Sequence, residues 1–242
     1  MLRLEHISWN TPEGTKVLDD LSLTAPDGKL TVITGPNGGG KTTLAKIIAG
    51  IEKPASGRVY LDDMDITDLD VTQRARLGVS YAFQQPVRFK GITVRQLVEL
   101  ASGNTLDEAA LCAVLSRVGL CAREYIDREV NSTLSGGEIK RIEIATVLAR
   151  HTRLSVFDEP EAGIDLWSFA NLIDVFKEMR RSLKGTLLII SHQERILKIA
   201  DEIAVVAGGR VSRQGGASDV MGDLLACSPM AENCVKQEAV FE

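Results

Sequence analysis

Residues 35–43, GPNGGGKTT, constrain the fold of this 242-residue chain more than any other stretch. They follow the apolar run LTVIT and open the helical pattern KTTLAKIIAG, so they match G-x-x-x-x-G-K-[ST] in a strand, loop and helix context. The loop residues Gly35, Pro36, Asn37, Gly38, Gly39 and Gly40 are glycine-rich enough for successive backbone N–H groups to turn inward as an anion nest. The helix starting at Lys41 adds roughly half a positive charge at its N-terminus, where a β-phosphate would rest. Lys41 would set its ammonium against β- and γ-phosphates, Thr42 offers a hydroxyl to Mg²⁺, and Thr43 continues the motif into the helix. A nucleoside triphosphate with Mg²⁺ is the ligand this pattern predicts.

The rest of the chain has the rhythm that such a loop requires. KLTVITG, RLSVFDEP, GTLLIISH and EIAVVAGG are short, nearly continuous apolar runs, the pattern of parallel strands covered on both faces. Helical patterns lie between them: KTTLAKIIAG, GGEIKRIEIATVLARH and WSFANLIDVFKEMRRSL. Strands alternating with helices predict a mostly parallel sheet with its ligand site at the carboxyl ends of the strands. The first thirty residues differ, alternating apolar and polar in LRLEHISW and KVLDDLSLTA, which predicts an antiparallel hairpin or small sheet. Residues 86–133 break the rhythm, since ITVRQLVELASG, LDEAALCAVLSRVGL and AREYIDREV read as helices without a strong strand between them. The predicted organisation is a nucleotide-binding core over residues 1–85 and 134–225, a helical subdomain over 86–133, and a polar tail over 226–242.

With 44% hydrophobic residues the chain has enough apolar content for a substantial core, and its net charge of −5 argues against nucleic-acid binding through a general basic field. Cys112, Cys121, Cys227 and Cys234 form no C-x-x-C pair and read as reduced thiols of a cytoplasmic protein. No apolar run approaches the roughly 18 residues that span a bilayer, so a membrane role would come through a partner.

RLSVFDEP supplies the second half of the site. Asp158 at the strand end would hold Mg²⁺ through water, whereas Glu159, one residue on, points differently and would polarise an attacking water as general base.

LSGGE at residues 134–138, the helix IKRIEIATVLAR and then LSVFDEP resemble the ATP-binding cassette (ABC) ATPases in motif and spacing, and the resemblance covers about residues 2–215. It implies a P-loop nucleotide-binding α/β fold with a mostly parallel core sheet, an N-terminal antiparallel β-subdomain and a helical insertion. It also implies ATP and Mg²⁺ as ligands, ATP hydrolysis, and a homodimer formed on ATP, in which Ser135, Gly136 and Gly137 of one copy meet the γ-phosphate held by the other. Asp165 of AGID corresponds to the D-loop residue, His192 to the switch histidine, and Gln84 to the Q-loop glutamine; Gln85 is the less suitable choice because the family glutamine directly follows Phe, as Gln84 follows Phe83. Trp9 is either the adenine-stacking aromatic or a buried strand residue. Gly39 stands where the family usually has serine.

Fold does not name the load. A DNA-repair or chromosome ATPase would need a long insertion, and a translation factor two cassettes. Between the remaining two, AFQQPVRFKGITV, SGGEIKR, SHQERIL and DEPEAGIDLWSF resemble the SufC iron–sulfur cluster assembly ATPases, which implies a SufB/SufD-like scaffold partner contacted by Arg88, Phe89 and Lys90. The alternative is the ATP-binding subunit of a membrane transporter whose permease is a separate chain.

Overall fold

Continuous apolar runs become the parallel strands of one sheet, and the alternating runs become a second, antiparallel one. The computed structural model describes residues 1–226 except 86, 151, 183 and 184. In chain order the elements are β1 (Leu2–Asn10), β2 (Lys16–Ala25), β3 (Leu30–Thr34), α1 (Lys41–Ala49), β4 (Ser56–Leu61), β5 (Met64–Asp65), α2 (Val71–Arg76) and β6 (Val79–Ala82). The insertion follows with α3 (Val94–Ser102), α4 (Glu108–Arg117) and α5 (Ala122–Tyr125). The chain then runs through α6 (Gly136–Ala149), β7 (Leu154–Asp158), α7 (Leu166–Ser182), β8 (Thr186–Ile190), α8 (Glu194–Leu197), β9 (Glu202–Ala207), β10 (Arg210–Gly216) and α9 (Ala217–Ala226).

The six-stranded sheet has the order β10-β9-β3-β8-β7-β6. All of its pairs are parallel except β9 with β10. Strands β3, β7 and β8 are buried at every position, which is why their sequences do not alternate. Because β8 lies between β3 and β7, the phosphate loop and the Asp158–Glu159 pair leave the same carboxyl edge within two strands of each other. The second sheet, β2-β1-β4-β5, is antiparallel throughout. It contains the expected hairpin and two further strands, from residues 56–65, that the alternation in the first thirty residues does not announce. Helix α1 is buried between the sheets through Leu44, Ala45, Ile47 and Ile48, packed in one cluster with Leu18, Ile33 and Val59.

In the insertion, α3 starts at a capping box between Thr93 and Gln96, and α4 at Asp107, whose carboxylate accepts the Ala110 N–H. AREYIDREV is expected to be one helix, yet only Ala122–Tyr125 is helical. The backbone beyond it is drawn into a tertiary pairing instead, with Val94 N–H donating to the Arg128 carbonyl and Val130 N–H to that of Ile92. Cys112 and Cys121 are free and exposed; Cys227, Cys234 and the tail beyond residue 226 lie outside the described residues. Among the described residues no helix is long and apolar enough to cross a membrane.

Arg74 locks α1 from behind. Its fully buried guanidinium donates to the carbonyls of Ile47 (2.6 Å) and Ile48 (2.9 Å) in the last turn of α1, and to those of Leu69 and Thr67. Burial lowers its pKa to about 10, so it stays cationic at neutral pH and complements the negative end of the helix dipole. Arg74→Ala takes a donor from the carbonyls of Ile47, Ile48, Thr67 and Leu69, of which Ile47 keeps the Gly50 N–H, and should lower unfolding stability by at least about 2 kcal/mol in denaturant titration. An unchanged midpoint would refute the capping role.

Candidate nucleotide site

The loop that begins the site can close only with glycine at two positions. A Cβ on Gly35, whose φ is +135°, would stand 2.1 Å from the backbone oxygen of Val206, and one on Gly39 would stand 2.7 Å from the same atom. β9 therefore presses directly on the loop, and the Gly209 N–H donates to the Gly39 carbonyl from the turn after that strand. A serine at position 39, as the family usually has, would press on the Val206 carbonyl unless that strand shifted. α1 follows with Gly40 as its N-cap and no side chain satisfying its first N–H groups, unlike α2, α3, α4 and α6. Those donors remain free for an anion. Lys41 is buried and donates from Nζ to the Gly35 and Pro36 carbonyls, 2.8 Å each, so its charge is held over the loop.

Asn37, Gly38, Gly39, Gly40, Lys41, Thr42, Thr43, Gln84 and Glu159 line one cleft of about 260 Å³ together with Val17. Gly35 and Pro36 form the back of the loop. Asp158, fully buried, stands behind Thr42, with 3.4 Å between its Oδ1 and the Thr42 hydroxyl, and accepts the Tyr81 hydroxyl on Oδ2 at 3.0 Å. Burial pushes the Asp158 carboxyl up, while the Tyr81 and Thr42 hydrogen bonds oppose that shift. The same desolvation and the neighbouring carboxylate push the Tyr81 phenol up, so Tyr81 remains a donor. Among the described residues no three His, Cys, Asp or Glu side chains gather as a metal cage. A hydroxyl beside a single carboxylate, open toward a phosphate cradle, is instead the hard-oxygen set suited to Mg²⁺, which takes one or two carboxylates and completes its shell with phosphate and water.

Glu159 follows β7 with φ at +45°, a left-handed conformation that a side chain adopts at a cost. Its N–H donates to the Ile190 carbonyl, which pins it to the neighbouring strand end. The Gln84 amide donates to Glu159 Oε2 at 2.6 Å and so joins the end of β6 to the candidate base. His192 is exposed on the loop after β8. The residue before it, Ser191, donates its hydroxyl to Glu161 and accepts the Gln193 N–H, which fixes the peptides on both sides of His192.

The expected site residues Ser135, Gly136, Gly137, Asp165 and Trp9 do not line this cleft. Ser135 and Gly136 are exposed and Gly137 is half-buried at the start of α6. The Ser135 hydroxyl accepts the Glu138 N–H at 3.2 Å, which leaves its own O–H to donate. Asp165 begins α7 by accepting the Ser168 N–H at 3.0 Å. Trp9 pairs with Leu18 across the hairpin and packs on the core between the sheets, and the residue that this hairpin places in the cleft is Val17. Tyr81, Lys140, Glu143 and Glu161 take part in the site although no sequence motif singles them out. The available signal for Tyr81 is its place two residues before Phe83 on a strand, which sends both side chains to one face.

Against known proteins, the ABC transporter family profile matches residues 18–162. An uncharacterized ABC transporter ATP-binding protein of Methanocaldococcus jannaschii is 37% identical over 214 residues, 85% of each chain. The energy-coupling factor transporter ATP-binding protein EcfA1 of Mycoplasma mobile is 32% identical over 91% of this chain and 82% of its own length. The sn-glycerol-3-phosphate import ATP-binding protein UgpC of Bartonella quintana is 33% identical, and this chain spans 62% of its length. Among solved structures, cbiO1 of Clostridium perfringens, part of the ABC transporter complex cbiONQ, superposes with a TM-score of 0.76 at 29% identity, covering 93% of this chain and 92% of that one. A dimeric ATP-binding cassette in a post-hydrolysis state, bound to ADP and Pi, superposes at 0.80 and 24% identity over 90% and 99%, which speaks for the fold.

Glu138 gives the start of α6 a pH dependence. Its carboxylate accepts the Tyr125 hydroxyl and the Ser135 N–H, with Arg128 3.7 Å away, and its pKa falls to about 2. A depressed carboxyl contributes stability that is complete above its ordinary value of 4.5 and is lost as pH falls toward about 2. Wild type should therefore melt above Glu138→Gln at pH 6, with the gap closing toward pH 2; a gap independent of pH would contradict the assignment.

Proposed function

This chain belongs to the ABC ATPase family, whose members hydrolyse ATP, and on that premise we propose that it is the ATP-binding subunit of a membrane transporter whose permease is a separate chain. The relatives reported above support this over iron–sulfur cluster assembly, because each is named as a transporter component. ATP is the substrate, held by the loop from Gly35 to Gly40 and by Lys41 and Thr43. Thr42 and Asp158 would hold Mg²⁺, with the Gln84 carbonyl oxygen beside them, and the ion would neutralise charge developing on the phosphates. Glu159 would take a proton from the attacking water, and His192 would face the γ-phosphate from the neighbouring strand end. The observation that carries the hydrolytic reading is the 2.6 Å hydrogen bond that places Gln84 and Glu159 in one cleft with the phosphate loop.

Half of each site would come from a second copy. Ser135, Gly136 and Gly137 offer a hydroxyl and helix-terminal amides, and none of them lines the cleft of its own chain, which suits presentation to another. Asp165 would reach across the same dimer, and Val17, rather than the core-packed Trp9, would border the nucleotide from the hairpin. A cytoplasmic location goes with this role, as that of the subunit which meets ATP beside a permease.

The partner face is proposed from an apolar patch beside Gln84. Ile51, Val71, Phe83 and Val87 are exposed, and they line two adjoining grooves of about 250 and 150 Å³ between the core and the insertion. Such clustering marks an interaction surface rather than scattered exposure. Arg88 and Lys90 are exposed on its rim, whereas Phe89 turns inward onto the main core. A second reading, a SufC-like ATPase with a SufB/SufD-like scaffold on this face, is favoured by the segments AFQQPVRFKGITV, SGGEIKR and SHQERIL.

Glu159→Gln should keep ATP binding and lose turnover by a factor of about 10² to 10⁴; wild-type turnover would sink the hydrolytic reading. Lys41→Ala should weaken ATP affinity itself, as read by equilibrium binding. Affinity purification of tagged Glu159→Gln with ATP from detergent-solubilised membranes should recover a polytopic permease. Recovery of a soluble SufB/SufD-like protein instead would reverse the choice of load.

A further inference from the structure

Phe83, the residue before Gln84, lies just past the end of β6, where its backbone has no strand partner. Both of its polar groups are nevertheless satisfied, and by a single helix. Its N–H donates to Glu143 Oε1 at 2.8 Å, and its carbonyl accepts from Lys140 Nζ. The two side chains are one turn apart on α6 and face each other, with Nζ 3.1 Å from Glu143 Oε2; Lys140 is wholly buried and Glu143 nearly so. A buried ion pair brings little net stability compared with apolar side chains of the same size. What these charges provide that an apolar pair would not is a two-point grip on the two peptide units that flank the Phe83 Cα. The second of these leads directly into Gln84, whose side-chain amide donates to Glu159.

We propose that Lys140 and Glu143 are positioning residues for ATP hydrolysis: they hold the Phe83 backbone on both sides of its Cα so that the Gln84 amide stays on the Glu159 carboxylate. This rests on the reading of Gln84 and Glu159 as the hydrolytic pair. α6 also begins with Ser135 and Gly136, so the helix that carries the γ-phosphate donors is the one that grips the approach to Gln84. A displacement of α6 would therefore be felt at Glu159 without crossing the phosphate loop.

The test is steady-state hydrolysis by the full chain. Glu143→Leu should lower kcat at least about tenfold while KM for ATP stays within about threefold, because a misplaced group slows the step more than it weakens binding. Glu143→Gln, which keeps an oxygen for the Phe83 N–H, should restore kcat to within about threefold of wild type on the same grounds. Wild-type kcat in Glu143→Leu, a Glu143→Gln variant as slow as Glu143→Leu, or a loss confined to KM would overturn the proposal. Where Glu143→Leu does not fold, the double variant Lys140→Met with Glu143→Leu, which leaves no lone buried charge, takes its place with the same expected loss. In the wild-type protein, hydrogen exchange should show the Phe83 amide protected, and exchange at the rate of an open loop would refute the grip independently. Glu159→Gln runs alongside: if it keeps turnover, the hydrolytic assignment fails rather than the grip.

Discussion

Everything at the site depends on a helix that is finished at one end and left open at the other. α1 lacks a capping side chain at Gly40, so its first N–H groups and the positive end of its dipole face the cleft. At its far end Arg74 satisfies the carbonyls of Ile47 and Ile48 from a buried position. The unsatisfied polarity of the helix is thus concentrated where an anion would bind. β3 aims the helix and β9 shapes the loop before it, because the Val206 carbonyl leaves no space for a Cβ at Gly35 or Gly39. The parallel sheet is the frame that brings those two strands side by side.

Three carboxylates within four residues illustrate how that frame assigns chemistry by environment. Asp158 still belongs to β7, is fully buried, and is held by Tyr81 and Thr42. Glu159 is turned out of the strand by its left-handed backbone and meets Gln84 at the cleft. Glu161 turns back toward the Ser191 hydroxyl, where burial pushes its carboxyl up, against the pull of that hydrogen bond. One strand end therefore supplies a buried acid beside Thr42, a half-buried acid facing the cleft, and a third that braces the segment of His192. The backbone turn at Glu159, more than side-chain type, separates the three roles.

The strands and the phosphate loop were legible in the sequence because both obey local rules. LTVIT and LLII are covered on two faces and so are continuously apolar, and the loop needs glycines at fixed offsets. β4 and β5 were not legible, since SGRVYL is a half-buried strand whose partner, β1, lies some fifty residues away in the chain. The expected helix at AREYIDREV fails for the same kind of reason, as the hydrogen bonds that stop it come from the start of α3. At the site, Gln84, Asp158 and Glu159 could be named from motifs. Tyr81, Lys140 and Glu143 could not, because a tyrosine on a strand and a Lys–Glu pair at i,i+3 on a helix read as ordinary surface chemistry until the sheet and α6 enclose them. The same holds for the close approach of Gly39 to the Val206 carbonyl, which exists only once β9 is in place.

In the proposed dimer, the start of α6 would be a half-site that is ready before its other half arrives. Ser135 spends a lone pair on the Glu138 N–H and keeps its proton, while Glu138 returns to the Ser135 N–H and is itself held by Tyr125 and Arg128. The serine rotor and the first turn are thereby fixed by the insertion rather than by the nucleotide. Donors that are ordered in advance lose little entropy when they meet an anion, so the energy of closing on ATP goes into the contact itself. The other end of the same helix segment is tied to Phe83 through Lys140 and Glu143. α6 is consequently the rigid element through which a γ-phosphate bound by one copy and the Gln84–Glu159 pair of the other would sense each other's position. The proposed grip would account for two charges buried on a helix whose packing alone would be served by apolar residues.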